Sequence, residues 1–130
     1  METEKIKSFL QAYATFQEVL KEPFESDALA RDAAIQRFEY TVDAGWKALK
    51  EVLREKFAVE VASPITTFRE AFAQKLISNS DQWIEMVKAR NETSHIYNEQ
   101  NAKKVVSSFK EYGTLLGELA RILKLYEAKP

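Results

Sequence analysis

Apolar residues recur along this chain at intervals of three and four, the spacing that lines one stripe of an α-helix. Between Glu4 and Lys21 they are Ile6, Phe9, Leu10, Tyr13, Phe16, Val19 and Leu20, and Pro23 ends the run. Ser26 or Asp27 then offers a side-chain oxygen to the first-turn amides of a long second helix. Its stripe runs Ile35, Phe38, Val42, Trp46, Leu49, Leu53 and Phe57. Gly45, beside Trp46, reads as a close packing point, because one glycine costs a helix only about 1 kcal/mol. After an apolar linker over 57–62, Ser63-Pro64 has the cap-then-proline order of a helix start. The third helix is short, carries Phe68, Ala71, Phe72 and Leu76 inward, and stops before Ser78-Asn79. Ser80-Asp81 opens a fourth with Trp83, Ile84 and Val87 as its apolar face, running directly into Arg90-Asn91-Glu92-Thr93-Ser94-His95-Ile96-Tyr97. Asn98 and Glu99 open the fifth, with Val105, Val106, Phe109, Tyr112, Leu116, Leu119, Leu123 and Tyr126 on one stripe. Trp83 and Trp46 are the expected aromatic anchors. No strand-type alternation persists, so the expectation is an all-α, antiparallel up-and-down bundle of four or five helices, one of them short and crosswise, forming a single domain over 1–130.

Composition narrows the chemistry more than the fold. A chain of 130 residues, 45% hydrophobic and 30% charged with 3 Gly and 3 Pro, is neither disordered nor a turn-rich β-protein. A net charge of -1 excludes a surface that is basic all over, and leaves room for one locally basic cleft. With no Cys and a single His, disulfides, thiol catalysis and Cys/His zinc sites are excluded. The glycines stand alone at 45, 113 and 117, so there is no Gly-rich phosphate loop, and no Gly-Ser dipeptide precedes spaced aspartates that would hold Mg²⁺ and a triphosphate. The chain is therefore not expected to transfer a nucleotide by itself or to carry a cofactor. Met1 to Ser8 is charged through Glu2, Glu4, Lys5 and Lys7, unlike an export signal. No apolar run approaches the roughly 18 residues of a membrane span. The cytoplasm is the expected compartment.

Two stretches carry more polar detail than a bundle needs. In Arg31 to Tyr40, the charges of Arg31, Asp32, Arg37 and Glu39 read as a solvated helix face whose ion pairs contribute about 0–1 kcal/mol each. In Arg90 to Tyr97, a fixed cation, an amide, the one side chain that titrates near neutrality and a phenol stand together. These groups suit phosphodiester chemistry: Arg binds phosphate oxygens through two parallel N–H groups, and His exchanges a proton with a ribose hydroxyl or a leaving oxygen. Asn91 and His95, four apart, meet on a continuous helix, where the amide could orient the imidazole. Arg90 and His95 are five apart, however, which on an ideal helix separates them by about 140°. Either the helix ends or distorts near Thr93-Ser94, or the Arg side chain swings round, or two copies of the motif meet across a two-fold axis. Between Met86 and Lys110, Lys88, Arg90, Lys103, Lys104 and Lys110 face only Glu92 and Glu99, a modest footprint for a polyanion.

At these residues the chain resembles the nucleotidyltransferase substrate-binding protein family, a branch of the HEPN superfamily of small helical proteins. Arg31 to Tyr40 with Trp46-Lys47, Phe68-Arg69-Glu70-Ala71, Trp83 to Met86 and Arg90 to Tyr97 carry the resemblance. It implies a bundle that forms a homodimer and pairs with a minimal nucleotidyltransferase, in the manner of a toxin with its antitoxin. For the motif it implies a metal-independent ribonuclease site at the dimer interface. Arg90 would stabilise the pentacoordinate phosphate, His95 would be general base or acid, Asn91 a supporting polar group, and Tyr97 the acceptor of AMP from the partner. RNA is then the substrate. The alternative is a non-catalytic subunit that presents a substrate, or its own Tyr97, to the nucleotidyltransferase.

Overall fold

A computed structural model describes residues 3–127. Met1 and Glu2, part of the stretch read above for an export signal, and 128–130, the end of the expected domain, lie outside it. The helices are α1 (Glu4–Leu20), α2 (Ala28–Phe57), α3 (Pro64–Ala73), α4 (Asp81–Glu92), α5 (Glu99–Val106) and α6 (Phe109–Lys124), with one 3₁₀ turn, Thr93–His95, continuing α4. The all-α bundle read from the sequence is the fold observed.

The organiser is α2, 30 residues long, against which α1, α3, α4, α5 and α6 all pack. Its start is set by Asp27, whose Oδ2 accepts from the Ala30 N–H at 2.9 Å, and it stops where Ala58 turns left-handed at φ 54. Phe16 of α1, Phe38 of α2 and Phe109 of α6 meet with ring centroids 4.5 to 5.8 Å apart, so three helices share one aromatic contact. Gly45 is the close approach expected of it: a Cβ there would lie 3.0 Å from Leu119 and 3.1 Å from Phe9, both fully buried. Ser63 and Thr66 exchange side-chain bonds in a capping box at the head of α3, and Phe68 stacks on Trp83 at 5.1 Å to join α3 to α4.

Three expectations are corrected. The single fifth helix is two, broken at Ser107-Ser108. The Ser107 hydroxyl donates to the Lys104 carbonyl at 2.6 Å, a local bond that competes with helix continuation after the β-branched pair Val105-Val106. Phe72 faces outward and is about half exposed (47%), since the buried face of α3 is Thr67, Phe68 and Ala71; beyond the helix, Lys75 at φ 64 turns the chain and Ile77 is buried. Trp46 is only partly buried and carries the Lys50 ammonium 6.0 Å from its ring centroid, so of the two expected anchors Trp83 alone is fully buried. Among the described residues no helix is long and apolar enough to cross a membrane.

Candidate functional site

The last turn of α4 carries Arg90 onto the face of α2. Arg90 Nε and Nη2 each donate to one Asp43 carboxylate oxygen at 3.0 Å, a two-pronged pair, and Nη1 reaches Glu39 Oε2 at 3.4 Å and Thr93 Oγ1 at 3.1 Å. Four of the five guanidinium N–H groups are thus engaged, and the fifth, on Nη2, has no partner among the described residues. The Asp43 hydrogen bonds and charge, with that of Glu39, raise the Arg90 pKa further above its usual value, against the opposing effect of partial burial. Glu39 and Asp43 are four apart and therefore share one α2 face.

Thr93 is the joint between this ion pair and the motif's end. Its buried hydroxyl lies 2.7 Å from Glu39 Oε2 and 2.6 Å from the Arg90 carbonyl, sharing one proton between them. Here the α-helix gives way to the 3₁₀ turn, the first of the three ways in which the 140° separation can be relieved. His95 closes that turn and Ile96 leaves it in extended backbone. Tyr97 is 79% exposed and its Oη stands 3.2 Å from His95 Nδ1. Asn91 is exposed, and the imidazole's partner within the chain is Tyr97. The chain brings His95 to Tyr97, and Arg90 to Glu39, Asp43 and Thr93.

The His95–Tyr97 contact has two chemical forms. With the proton on Nδ1, the ring donates to the phenol oxygen and Nε2 carries a lone pair free to act as base. With the proton on Nε2, Nδ1 is the acceptor for the Tyr97 hydroxyl proton. The chemistry of the pair therefore allows either a general base or an activated phenol, according to the tautomer.

The charged stretch 31–40 is not the solvated face expected. Arg31 is buried at 2% exposure, its Nη2 lies 3.5 Å from Glu99 Oε1 at the first turn of α5, and its Nη1 has no partner among the described residues. Arg37 Nη1 donates to the Thr15 carbonyl at 3.0 Å and ties α2 to α1. Glu39, Asp43, Thr93 and Glu99 are the site residues that the sequence reading missed. The i, i+4 carboxylates of α2 were the one signal available.

The helical bundle thus carries an arginine held by carboxylates at the end of one helix and an exposed His–Tyr pair just beyond it. The chain belongs to the family described as nucleotidyltransferase substrate binding protein like, whose model matches residues 4–124. A solved structure from Thermus thermophilus is similar at 38% identity, covering 89% of this chain and 98% of that one, with a TM-score of 0.81. The tri-AMPylated HEPN toxin of Shewanella oneidensis, solved in complex with its MNT antitoxin, shares the fold at 22% identity and a TM-score of 0.74, covering 93% and 94% of the two chains. A toxin–antitoxin structure with AMP-PNP does so at 20% identity and 0.72, covering 92% and 94%. No curated protein sequence matches the chain.

Proposed function

We propose that this protein is the HEPN component of a toxin–antitoxin pair, a metal-independent ribonuclease that a minimal nucleotidyltransferase neutralises by attaching AMP to Tyr97. The observation that carries the reading is the exposed His95 Nδ1–Tyr97 Oη contact one turn beyond Arg90. The family membership and the fold shared with a tri-AMPylated toxin support it. In the cleavage step a ribose 2′-hydroxyl attacks the adjacent phosphorus, its proton passing to His95 Nε2. The P–O5′ bond breaks, leaving a 2′,3′-cyclic phosphate and a 5′-hydroxyl whose proton comes from an imidazolium. Two copies meeting across a two-fold axis supply one base and one acid, so the working form is a homodimer. The remaining Nη2 proton of Arg90 is directed to a phosphate oxygen, and the exposed Asn91 is a supporting polar group on the same turn. Proton transfer by such a base typically contributes about 10²–10⁴-fold.

Neutralisation uses the other tautomer. The Tyr97 oxygen attacks the α-phosphorus of ATP held by the nucleotidyltransferase, its proton moves to His95 Nδ1, and pyrophosphate leaves. The product places a phosphodiester anion against the imidazole that cleavage requires. RNA digestion in EDTA by the wild type and by His95→Ala, with helical content verified for both, tests the reading; equal activity refutes it. A loss of about 10²-fold or more in the variant is expected.

A specific observation favours the second reading, a non-catalytic subunit that presents Tyr97 to the transferase: Arg90 is already engaged by Asp43, Glu39 and Thr93. Mass spectrometry of this chain after incubation with the transferase, ATP and Mg²⁺ finds added AMP under either reading, so cleavage discriminates between them.

A further inference from the structure

Beside His95, on the side of α5 and the start of α6, lies a pocket of about 380 Å³. That volume is within the range of pockets that hold small ligands, roughly 300–1,000 Å³. Glu92 and His95 line it from the end of α4 and its 3₁₀ turn, Asn101 and Lys104 from α5, and Val105 and Tyr112 contribute apolar and aromatic wall. Apart from His95, none of these lining residues is used by the cleavage and AMP-transfer steps above.

Its charges are arranged unevenly. Lys103 pairs with Glu99 at 3.6 Å and Lys110 with Glu25 at 3.7 Å, whereas Lys104 has no carboxylate within ion-pair distance among the described residues. Lys104 is thus an uncompensated cation on the pocket lining. The Asn101 backbone N–H is spent on Asn98, leaving its side-chain amide as a donor and acceptor at the pocket edge. The Ser108 hydroxyl, also on the lining, does not cap α6. A cation, an amide, a hydroxyl and an aromatic wall around a one-nucleotide volume match the groups of a nucleotide: phosphate, base edge and base face.

Resting on the ribonuclease reading, we propose that this pocket is the subsite for the nucleotide that flanks the cleaved bond of a single-stranded RNA. The phosphate lies on Lys104 and the base edge on Asn101. Glu92, the one carboxylate on the lining, repels phosphate and favours its placement on Lys104. Single strands are required, because a base within a duplex cannot enter a pocket of this kind.

The test measures binding apart from cleavage, using a 2′-O-methyl RNA hexamer that has no 2′-hydroxyl to attack. Wild type, Lys104→Ala, Asn101→Ala and Lys110→Ala are compared by fluorescence anisotropy across salt concentrations. All three side chains lie at or near the surface, and circular dichroism verifies folding. Loss of one phosphate contact lowers the slope of log K against log salt by about 0.7. That change, with about tenfold weaker binding, is expected for Lys104→Ala; Asn101→Ala weakens binding by about threefold, and Lys110→Ala by less than about twofold. Equal losses for Lys104→Ala and Lys110→Ala, or no binding by wild type, overturn the proposal. Lys104-dependent binding without cleavage of natural RNA keeps the subsite and removes the ribonuclease reading. Cleavage with an unchanged KM in Lys104→Ala does the reverse.

Discussion

The Arg90–Asp43 pair makes a quantitative claim about both stability and activity. Its two N–H···O contacts of 3.0 Å are parallel, and the arginine side chain is 26% exposed while Asp43 is 40% exposed. Two unit charges about 4 Å apart attract by about 4 kcal/mol at an effective dielectric of 20, and most of that is offset by lost hydration and side-chain freedom. Fully exposed pairs retain about 0.2–1 kcal/mol, and hydrogen bonds to charged groups contribute about 1.5–3 kcal/mol when well shielded. A bidentate pair between these limits is expected to couple by about 1–2 kcal/mol. Urea unfolding of the wild type, Asp43→Ala, Arg90→Ala and the double variant isolates that coupling. With a slope near 2 kcal/mol/M, each single variant lowers the midpoint by about 0.5–1 M, and the double variant by little more. Additive losses, with a coupling below about 0.3 kcal/mol, would falsify the pairing.

On the proposed ribonuclease reading, the same pair constrains how Arg90 meets RNA. With Asp43 and Glu39 both against it, the cluster carries a net negative charge that opposes an approaching phosphate. Asp43→Asn removes one charge while keeping one acceptor, and is expected to tighten binding of the 2′-O-methyl hexamer by about threefold at low salt. Weaker binding would show that the guanidinium does not face the phosphate.

Two further outcomes follow from the core. Gly45→Ala is expected to destabilise the protein by about 1–3 kcal/mol in thermal unfolding, because the fully buried Leu119 and Phe9 cannot retreat from a new Cβ. Gly117→Ala meets only the end of the half-buried Tyr13 side chain and should stay within about 0.5 kcal/mol of wild type, so equal losses would contradict this packing. Burial raises the phenol pKa of Tyr112, with smaller contributions from Glu111 and Glu85, and raises that of Tyr13, both above the usual 10.0. Above pH 10 the unfolded chain has released protons that the folded chain keeps, so stability is full below that value and falls as pH rises toward the folded pKa values. Tyr112→Phe should flatten the fall, and an identical alkaline profile in the variant would exclude Tyr112 as its source.

The helices were legible because each buries one stripe, and a stripe is written locally every three or four residues. Gly45 was legible for the same reason, since it stands within an apolar stripe beside Trp46. The break at Ser107-Ser108 was not, because the stripe from Val105 to Tyr126 continues in phase across it and the interrupting bond is made by one serine hydroxyl. The motif's residue types pointed to His95 and Tyr97 as neighbours in sequence, and they are neighbours in space. The partners of Arg90 were hidden, lying 47 and 51 residues earlier. Which α2 carboxylates face α4 depends on the relative offset of two helices, which periodicity within either one does not encode. Arg31 misled for the converse reason: a charged run looks solvated until another element, here α5, lies across it.

These cross-helix bonds explain how the motif's end can be exposed and still held in place. The segment from Ile96 to Asn98 has no helix of its own, and Tyr97 is mostly in solvent. On one side it is preceded by Thr93 and Arg90, bonded to Glu39 and Asp43 of α2; on the other it is followed by Glu99, which meets Arg31 of the same helix. Arg31 and Glu39 are eight residues apart, about 12 Å along the α2 axis. His95 and Tyr97 are therefore carried on a short span fastened at both ends to one rigid rod. The long-range bonds that hold this span are made by flanking residues, so the side chains of His95 and Tyr97 remain exposed. In this arrangement the buried Arg31 holds the start of α5 just beyond the span, and the carboxylates around Arg90 fix the approach of α4 as much as they tune its charge.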